Sequence, residues 1–497
     1  MRRELKMLLA DLGVPVPDLE VTGVEMDSRR VSPGDLFLAC KGHGGARSHG
    51  LVHVEQAVAR GAAAVAWEPA SGWAQPEIAV PEIAVPGLSA MAGEIAARFH
   101  GRPADELFCV GITGTDGKTS TAYLLAQALE RLDTRCAYIG TIGTGFVERL
   151  DKASHTTPDP VSLQRLLARL RDDGARACAM EVSSHALDQA RTGGLRFRVG
   201  VLTNITRDHL DYHGTVEQYA AAKRRLFDGD ASAAALVLNR DDAHGARWAQ
   251  ELAATKDVVV YGIDGGTPAG RYVLARNVAL SPQGLSFEID SSWGAATLRS
   301  RLLGRFNVYN LLAVLGSLML KGVALDAAVA ALAEVRTVPG RIEAYRGPRA
   351  KPLVVVDYAH TPDALRQILQ AVRAHTRKRL ICVFGCGGDR DRGKRPLMGA
   401  AAAELADVVV VTDDNPRSEA PEAIVIDILR GIDRSRYSRV FVQHDRAQAI
   451  REAVDVASAD DVVVVAGKGH EDYQLYGRDV RDFSDRRFVA ELLGASA

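Results

Sequence analysis

The chain contains no uninterrupted apolar run approaching the roughly 18 to 20 residues that cross a bilayer, so no membrane-spanning helix is expected. Its first residues, MRRELKMLLADLG, begin basic, but the apolar stretch breaks at Asp11, which argues against a secretory signal. Cysteine is sparse. Cys40, Cys109, Cys136, Cys178, Cys382 and Cys386 are scattered through 497 residues, mostly inside apolar runs, as reduced core thiols of a cytoplasmic protein would be. Cys382 and Cys386 stand four apart without a second pair, so their spacing does not make a zinc site. An excess of one charge is also missing. Lys and Arg total 61 against 62 Asp and Glu, a formal net charge of -1. No whole-chain field favours nucleic acid or an acidic membrane surface, and any anion site must be local.

Such a site is present in GITGTDGKTS at residues 111–120, which follows a strand-like apolar run at 107–110. It opens a helix predicted over 118–132, with Leu124, Leu125, Ala128 and Leu129 on one face. A glycine-rich turn between strand and helix aims backbone N–H groups at phosphate, and the helix dipole favours negative charge there. Lys118 would reach the outer phosphates of ATP, and the hydroxyl of Thr119 or Ser120 would hold magnesium. The general P-loop pattern spaces its two glycines one residue closer than Gly111 and Gly117 stand here, and Gly114 falls between them. The match is to the variant GTxGKT.

At 497 residues the chain is too long for one core. The reading is α/β with three domains: a small N-terminal α/β domain over 1–97, a central P-loop domain with a parallel sheet over 98–337, and a C-terminal Rossmann-like domain over 338–497. In the first, strand-like runs at 35–40 and 62–67 surround a helix-like run at 52–60. A tandem PEIAV at 76–85 reads as a local duplication in a loop or edge segment, because nothing else in the chain shares its period. Short buried-type strands at 177–182 and 199–204 continue the central domain. The last domain alternates strands at 353–357, 380–385, 408–412, 440–443 and 462–466 with helical runs, and its functional loops should follow the strand C-termini.

Three polar clusters fall at strand ends. In EVSSHALDQAR, Glu181 is placed as a magnesium ligand, since that ion prefers a few hard oxygen donors plus water. In TNITRDHLDYHG and the helix-like EQYAAAKRRLF that follows, His209 and Lys223 could face a metal. From spacing alone, however, Lys223 on a charged helix reads as a solvated surface residue. The third cluster comprises DYAHTPDAL, GCGGDRDRGKRP, DDNPRSEAP and GKGHE, which bring Arg390, Arg417, Lys468, His470 and Glu471 to one sheet edge. Mixed charges around a crevice suit a zwitterionic amino-acid substrate.

With these pieces assembled, the chain resembles the Mur ligase family over essentially its whole length. The family P-loop reads TGTxGKT, and residues 113–119 read TGTDGKT, with Asp116 where asparagine is more usual. The resemblance implies an ATP-dependent amide ligase of peptidoglycan precursor synthesis, serving cell-wall biogenesis, cell shape and division. ATP would lie on Gly114, Thr115, Asp116, Gly117, Lys118, Thr119 and Ser120, with Asn307 in GRFNVYN, Arg341 in GRIE and Asp357 in DYAH. It also implies that Lys223 carries a carbamate derived from CO₂, an oxygen ligand for Mg²⁺ beside His209, Glu181 and Thr119 or Ser120. For a UDP-MurNAc-L-Ala-D-Glu substrate the matching positions are Met26, Ser28, His43, Gly44, Gly45, Thr156, Thr157, Ser183, Gln189 and Arg191.

Asp414-Asn415-Pro416-Arg417 is similar to the signature of family members that add meso-diaminopimelate. The Arg417 fork can pair with a distal carboxylate that lysine lacks. Arg390, Gly467 and Glu471 match the other contacts to that amino acid, with Glu471 suited to its distal ammonium. A cytoplasmic monomer without nucleic-acid partners is expected. Three rivals stand beside this reading: a folylpolyglutamate-synthetase-like ligase, the D-Ala-D-Ala-adding Mur ligase, and a nucleotide-binding regulator without catalysis. The N-terminal domain opposes the first and DNPR opposes the first two. Lys118, Glu181, His209 and Lys223 together oppose the third.

Overall fold

The computed structural model describes residues 1–42, 48–153, 155–229, 232–348 and 351–494. Near the N-terminus β1 (Gly23–Glu25), β2 (Asp35–Ala39), β3 (Ala64–Trp67) and β4 (Glu82–Ala84) form a parallel sheet in that order. Helix Leu88–Phe99 packs Leu88, Ala92, Ile95 and Ala96 into one core with Val24, Leu36 and Leu38. Only the second PEIAV copy forms a strand. It supplies edge strand β4, and the carbonyl of its Pro81 accepts from the Val65 amide at 2.9 Å. Proline donates nothing to a ladder, which confines it to such edges.

The central strands are β5 (Phe108–Thr113), β6 (Cys136–Gly140), β7 (Ala177–Glu181), β8 (Val199–Leu202), β9 (Ala235–Asn239) and β10 (Asp257–Ile263). They lie parallel in the order β6-β7-β5-β8-β9-β10. Parallel strands covered on both faces by helices read as continuous apolar runs, which is why LFCV at 107–110 and VGVL at 199–202 were visible as buried strands, the first running on to Thr113. From β5 the chain first builds one flank of the sheet, then crosses back to build the other. The reversal leaves a crevice beyond the C-terminal end of β5, where such sheets bind ligands.

In the C-terminal region β11 (Glu343–Arg346), β12 (Leu353–Asp357), β13 (Leu380–Phe384), β14 (Val408–Val411), β15 (Val440–Val442) and β16 (Val462–Ala466) form a sheet in the order β11-β12-β16-β13-β14-β15. All neighbours are parallel except the edge pair β11 and β12. The polar EAYR of β11 carries no strand signal of its own, and its pairing with β12 makes it a strand. By compactness the chain divides into two units: Met1–Leu274 with Ser291–Gly294 and Tyr309–Ala331, and Ala275–Asp290 with Ala295–Val308 and Leu332–Ala497. All six cysteines are free and buried.

Helix caps follow the sequence closely. Asp159, Thr215, Thr361, Asp445 and Ser484 each accept a backbone N–H from the first turn of the helix they precede. One buried ion pair links two of these helices. The Arg446 guanidinium donates through Nε and Nη2 to the two Asp485 oxygens, both at 2.7 Å, and neither side chain has any exposure. Arg446 also donates to the carbonyls of Asp413 at 3.3 Å and Ala466 at 3.1 Å, which ties the pair to the ends of β14 and β16.

Breaking one partner of such a pair strands a buried charge. Arg446→Met should therefore destabilise the full-length protein by about 3 to 5 kcal/mol, and Arg446→Met with Asp485→Leu should recover much of that loss. Denaturant unfolding of the single and double variants checks this; a single variant as stable as the parent would contradict it.

Candidate active site

Immediately after β5 the backbone turns at Gly114, whose φ is +147°. A Cβ there would lie 1.8 Å from Thr203 Oγ1, so only glycine fits. Gly117, at φ +83°, stands at the N-cap of helix Lys118–Arg131 and offers no side chain, which leaves the first-turn amides open to phosphate. The loop is clamped from β8. The Asp116 amide donates to Asn204 Oδ1 at 3.0 Å, and its carbonyl accepts from Thr203 Oγ1 at 2.6 Å. Because the clamp uses only backbone atoms of Asp116, its exposed carboxylate replaces asparagine without disturbing the loop. Lys118 Nζ folds back onto the carbonyls of Gly114 at 2.8 Å and Thr115 at 2.7 Å.

Parallel pairing sets Glu181 of β7 opposite Ile112 of β5, beside the loop. The carboxylate is fully buried. Its Oε1 accepts from Tyr138 Oη at 2.5 Å and the Thr141 amide at 2.8 Å; its Oε2 accepts from Thr119 Oγ1 at 2.8 Å and Thr141 Oγ1 at 3.2 Å. A carboxylate oxygen next to a P-loop hydroxyl is the hard-oxygen donor set that magnesium takes.

Lys223 departs from the reading made on spacing alone. It is not a solvated surface residue: it is 1% exposed, on the buried face of helix Val216–Arg224 with Tyr219, Ala220 and Ala222. Its Nζ donates to the Gly114 carbonyl at 2.8 Å and sits 4.4 Å from the centroid of the Tyr219 ring. Burial, reinforced by the charge of Lys118, pushes its pKa well below the usual lysine range. His209, at φ +51°, precedes helix Leu210–His213 and keeps its side chain half exposed, with its ring 4.9 Å from that of His185 and 6.2 Å from that of Tyr219. The Tyr219 hydroxyl meets Thr115 Oγ1 at 3.1 Å. The P-loop, Lys223 and His209 thus meet around Tyr219, a residue that the sequence reading passed over.

The proposed sugar-peptide residues adjoin this cluster. Thr157 Oγ1 donates to the Glu181 carbonyl at 2.8 Å and accepts from the Ser183 amide at 3.3 Å, and Thr156 Oγ1 meets Thr141 Oγ1 at 3.0 Å. Arg191 donates to the Thr157 carbonyl at 3.1 Å and to Gln189 Oε1 at 2.9 Å. Gln189, Arg191 and Met26 line a cavity of about 270 Å³ together with Lys41, Ser89 and Asp159, three residues the sequence did not single out. Buried Glu68 accepts from the amides of Lys41 and Ser89, both at 3.0 Å, and so joins two walls of this cavity. Ser28 is not among the lining residues; its hydroxyl donates to Gln56 Oε1 at 2.6 Å. His43, Gly44 and Gly45 lie outside the described residues.

In the second unit Asn307 is buried and its amide donates to the Leu303 carbonyl at 2.7 Å. Arg341 is exposed, while Asp357 accepts from the amides of Ile342 at 2.8 Å and Ala359 at 2.7 Å, and burial raises its pKa. Asp414, Asn415 and Pro416 are buried just beyond β14. Arg417 holds φ +52°, an uncommon conformation for a side chain of its size. Its Nη1 donates to the Gly388 carbonyl at 2.8 Å and its amide to the Leu475 carbonyl at 2.9 Å. Asn415 Nδ2 donates to Glu471 Oε2 at 3.0 Å, so the DNPR and GKGHE loops meet. Arg390 is exposed on the loop after β13.

The sequence pattern of the Mur ligase middle domain matches residues 112–318, that of the Mur ligase glutamate ligase domain matches 340–469, and that of the Mur ligase family catalytic domain matches 20–100. The chain is 50% identical over 485 residues to the UDP-N-acetylmuramoyl-L-alanyl-D-glutamate--2,6-diaminopimelate ligase of Alkalilimnicola ehrlichii, covering 96% of this chain and 95% of that protein. It is 48% identical over 491 residues to the ligase of the same name from Xanthomonas oryzae pv. oryzae, covering 98% and 97%. A solved structure with that enzyme name is similar at a TM-score of 0.80 and 37% identity, covering 99% of both chains. Folylpolyglutamate synthase of Mycobacterium tuberculosis shares the fold alone, at a TM-score of 0.56 and 22% identity over 76% of this chain and 92% of that one. The chain belongs to the Mur ligase family.

The short bond from Tyr138 makes that residue the orienter of the Glu181 carboxylate. Tyr138→Phe should raise the magnesium concentration needed for half-maximal ATP turnover by about tenfold or more, as loss of an outer-shell partner does. A magnesium titration of phosphate release is the check, and an unmoved midpoint would separate Tyr138 from the metal site.

Proposed function

We propose that this chain catalyses ATP-dependent amide-bond formation, joining 2,6-diaminopimelate, in its meso form, to the D-glutamate carboxylate of UDP-MurNAc-L-Ala-D-Glu during peptidoglycan precursor synthesis. The observation that carries the choice of amino acid is the DNPR loop, which holds Arg417 at a left-handed backbone position two residues after Asn415, whose side chain meets Glu471. In the first step the γ-phosphoryl group passes to the acceptor carboxylate, giving an acyl phosphate and ADP. In the second, the amine attacks the acyl carbon, a C–N bond forms, the C–O bond to phosphate breaks, and the amine loses a proton. Phosphorylation turns a poor leaving group into a good one, and the protein supplies positioning and charge neutralisation.

Lys118, now spent on loop carbonyls, exchanges them for the outer phosphates. Gly114 to Ser120 are assigned to the phosphates of ATP, and Asn307, Arg341 and Asp357 are assigned to the same nucleotide. Glu181 and the hydroxyl of Thr119 or Ser120 suit magnesium, and His209 and Lys223 would complete its set; bound there, the ion neutralises charge on the transferring group. A protonated lysine cannot ligate a cation. The buried, weakly basic Lys223 amine is suited to react with CO₂, losing a proton to become an anionic carbamate. Met26, Ser28, residues 43–45, Thr156, Thr157, Ser183, Gln189 and Arg191 are assigned to the UDP-sugar peptide. Arg390, Asp414, Asn415, Pro416, Arg417, Gly467 and Glu471 are assigned to diaminopimelate. The corresponding domains are 1–97, 98–337 and 338–497, in a cytoplasmic monomer; among the described residues no helix is long and apolar enough to cross a membrane.

Phosphate release with ATP, magnesium and the UDP-sugar peptide should require diaminopimelate and fail with L-lysine or with no amino acid; silence with diaminopimelate would remove the reading. Arg417→Ala should raise KM for diaminopimelate about ten- to a hundredfold while leaving KM for ATP in place, because a charge-assisted bond is worth roughly 1.5 to 3 kcal/mol. Intact-mass measurement in bicarbonate buffer should find the added mass of one CO₂, lost in Lys223→Arg. An adduct that persists in the variant would place the carbamate elsewhere.

A further inference from the structure

We propose that Lys468 is a positioning residue that sets the preference for an amino acid bearing a second ammonium group. The inference rests on the diaminopimelate-ligase reading and assigns a role to a residue outside the contacts already proposed. Lys468 follows β16 in GKGHE, and its side chain has no solvent exposure. A buried ammonium must be paired. Its Nζ lies 3.2 Å from Asn415 Oδ1, 3.4 Å from Glu471 Oε2 and 3.5 Å from Asp414 Oδ1, with the Tyr473 ring centroid 5.5 Å away.

Those contacts decide the orientation of two other groups. Asn415 Oδ1 accepts from Lys468 and from the Leu475 amide at 3.0 Å, so the Asn415 amide nitrogen must face Glu471, where it donates to Oε2 at 3.0 Å. Both donors therefore converge on the same oxygen of Glu471. Among the described residues no hydrogen bond reaches Oε1 of the partly exposed Glu471, and Asp414 Oδ1 is buried without one.

The single positive charge of Lys468 is shared between two carboxylates, Asp414 and Glu471. The neighbouring Arg446 is neutralised by Asp485, and Asp413 accepts from Tyr476 Oη at 3.0 Å and meets His444 Nδ1 at 2.8 Å. Loops that carry more carboxylates than ammonium groups, with a carboxylate oxygen free of hydrogen bonds among the described residues, suit an incoming ammonium and penalise a substrate without one. Lys468 creates that condition by fixing Glu471 and Asn415.

The test compares diaminopimelate with 2-aminopimelate, which keeps the reacting amine and the distal carboxylate but lacks the second ammonium. In the full-length enzyme, Lys468→Met should reduce the kcat/KM preference for diaminopimelate over 2-aminopimelate by about tenfold or more, with KM for ATP unchanged. Lys468→Gln, which keeps a donor without the charge, should lose the same preference and serves if the methionine variant does not fold. Lys468→Arg should retain most of it. A folded neutral variant with the parental ratio overturns the inference, and so does an equal loss on both amino acids, which marks a purely structural residue. Parental enzyme silent with diaminopimelate overturns the proposed function itself, a result distinct from an unchanged ratio.

Discussion

The bond from Thr119 to the buried Glu181 carboxylate joins the P-loop to the neighbouring strand, and much of the first unit is arranged to make it possible. A carboxylate without exposure needs donors on both oxygens. Tyr138 from β6 and the amide and hydroxyl of Thr141 supply them alongside Thr119. The carbonyl of the same residue receives Thr157, which in turn contacts Ser183 and Arg191. One residue therefore connects the phosphate loop to the side chains assigned to the acceptor substrate. A shift in any of these groups would be felt by the rest, because the buried carboxylate relies on these donors.

Lys223 shows the opposite use of burial. Desolvation and the nearby Lys118 charge make its ammonium unfavourable. A site that neutralises an amine also exposes a nucleophile, and reaction with CO₂ replaces a strained cation with an oxygen anion. Glu181 is buried with four donors on its carboxylate, whereas the buried Lys223 amine has a carbonyl acceptor and no carboxylate within ion-pair distance among the described residues. In the second unit the balance differs again, since Lys468 remains paired with carboxylates and its role is to orient them.

Much of this was legible in order along the chain. Continuous apolar runs at β5, β8, β12 and β16 announced strands buried on both faces, and the polar motifs immediately after them announced ligand loops, because parallel sheets place strand C-termini on one edge. TGTDGKT was readable because glycine spacing follows from backbone geometry, as Gly114 against Thr203 illustrates. Tyr138, Tyr219 and Asn310 were not. Each lies far from its partner in sequence, and a tyrosine in an apolar strand reads as core until the neighbouring strand brings Glu181 to its hydroxyl. Asn310, whose Oδ1 accepts from Thr121 at 3.1 Å, sits in the same motif as the predicted Asn307, and only helix docking distinguishes the two. The strand β11 was hidden for a related reason: an edge strand owes its conformation to its neighbour rather than to its own pattern.

By itself the sequence determined the class of fold, the phosphate loop and the chemistry of the strand-end motifs, because these depend on residue type at short separations. The tertiary structure decided which charges are buried and which oxygens remain free. Lys223 lies on a helix whose charged residues suggest solvent, and Lys468 sits among glycines in a loop. Both are buried because elements distant in the chain close over them, and burial, unlike periodicity, is a property of the whole packed molecule.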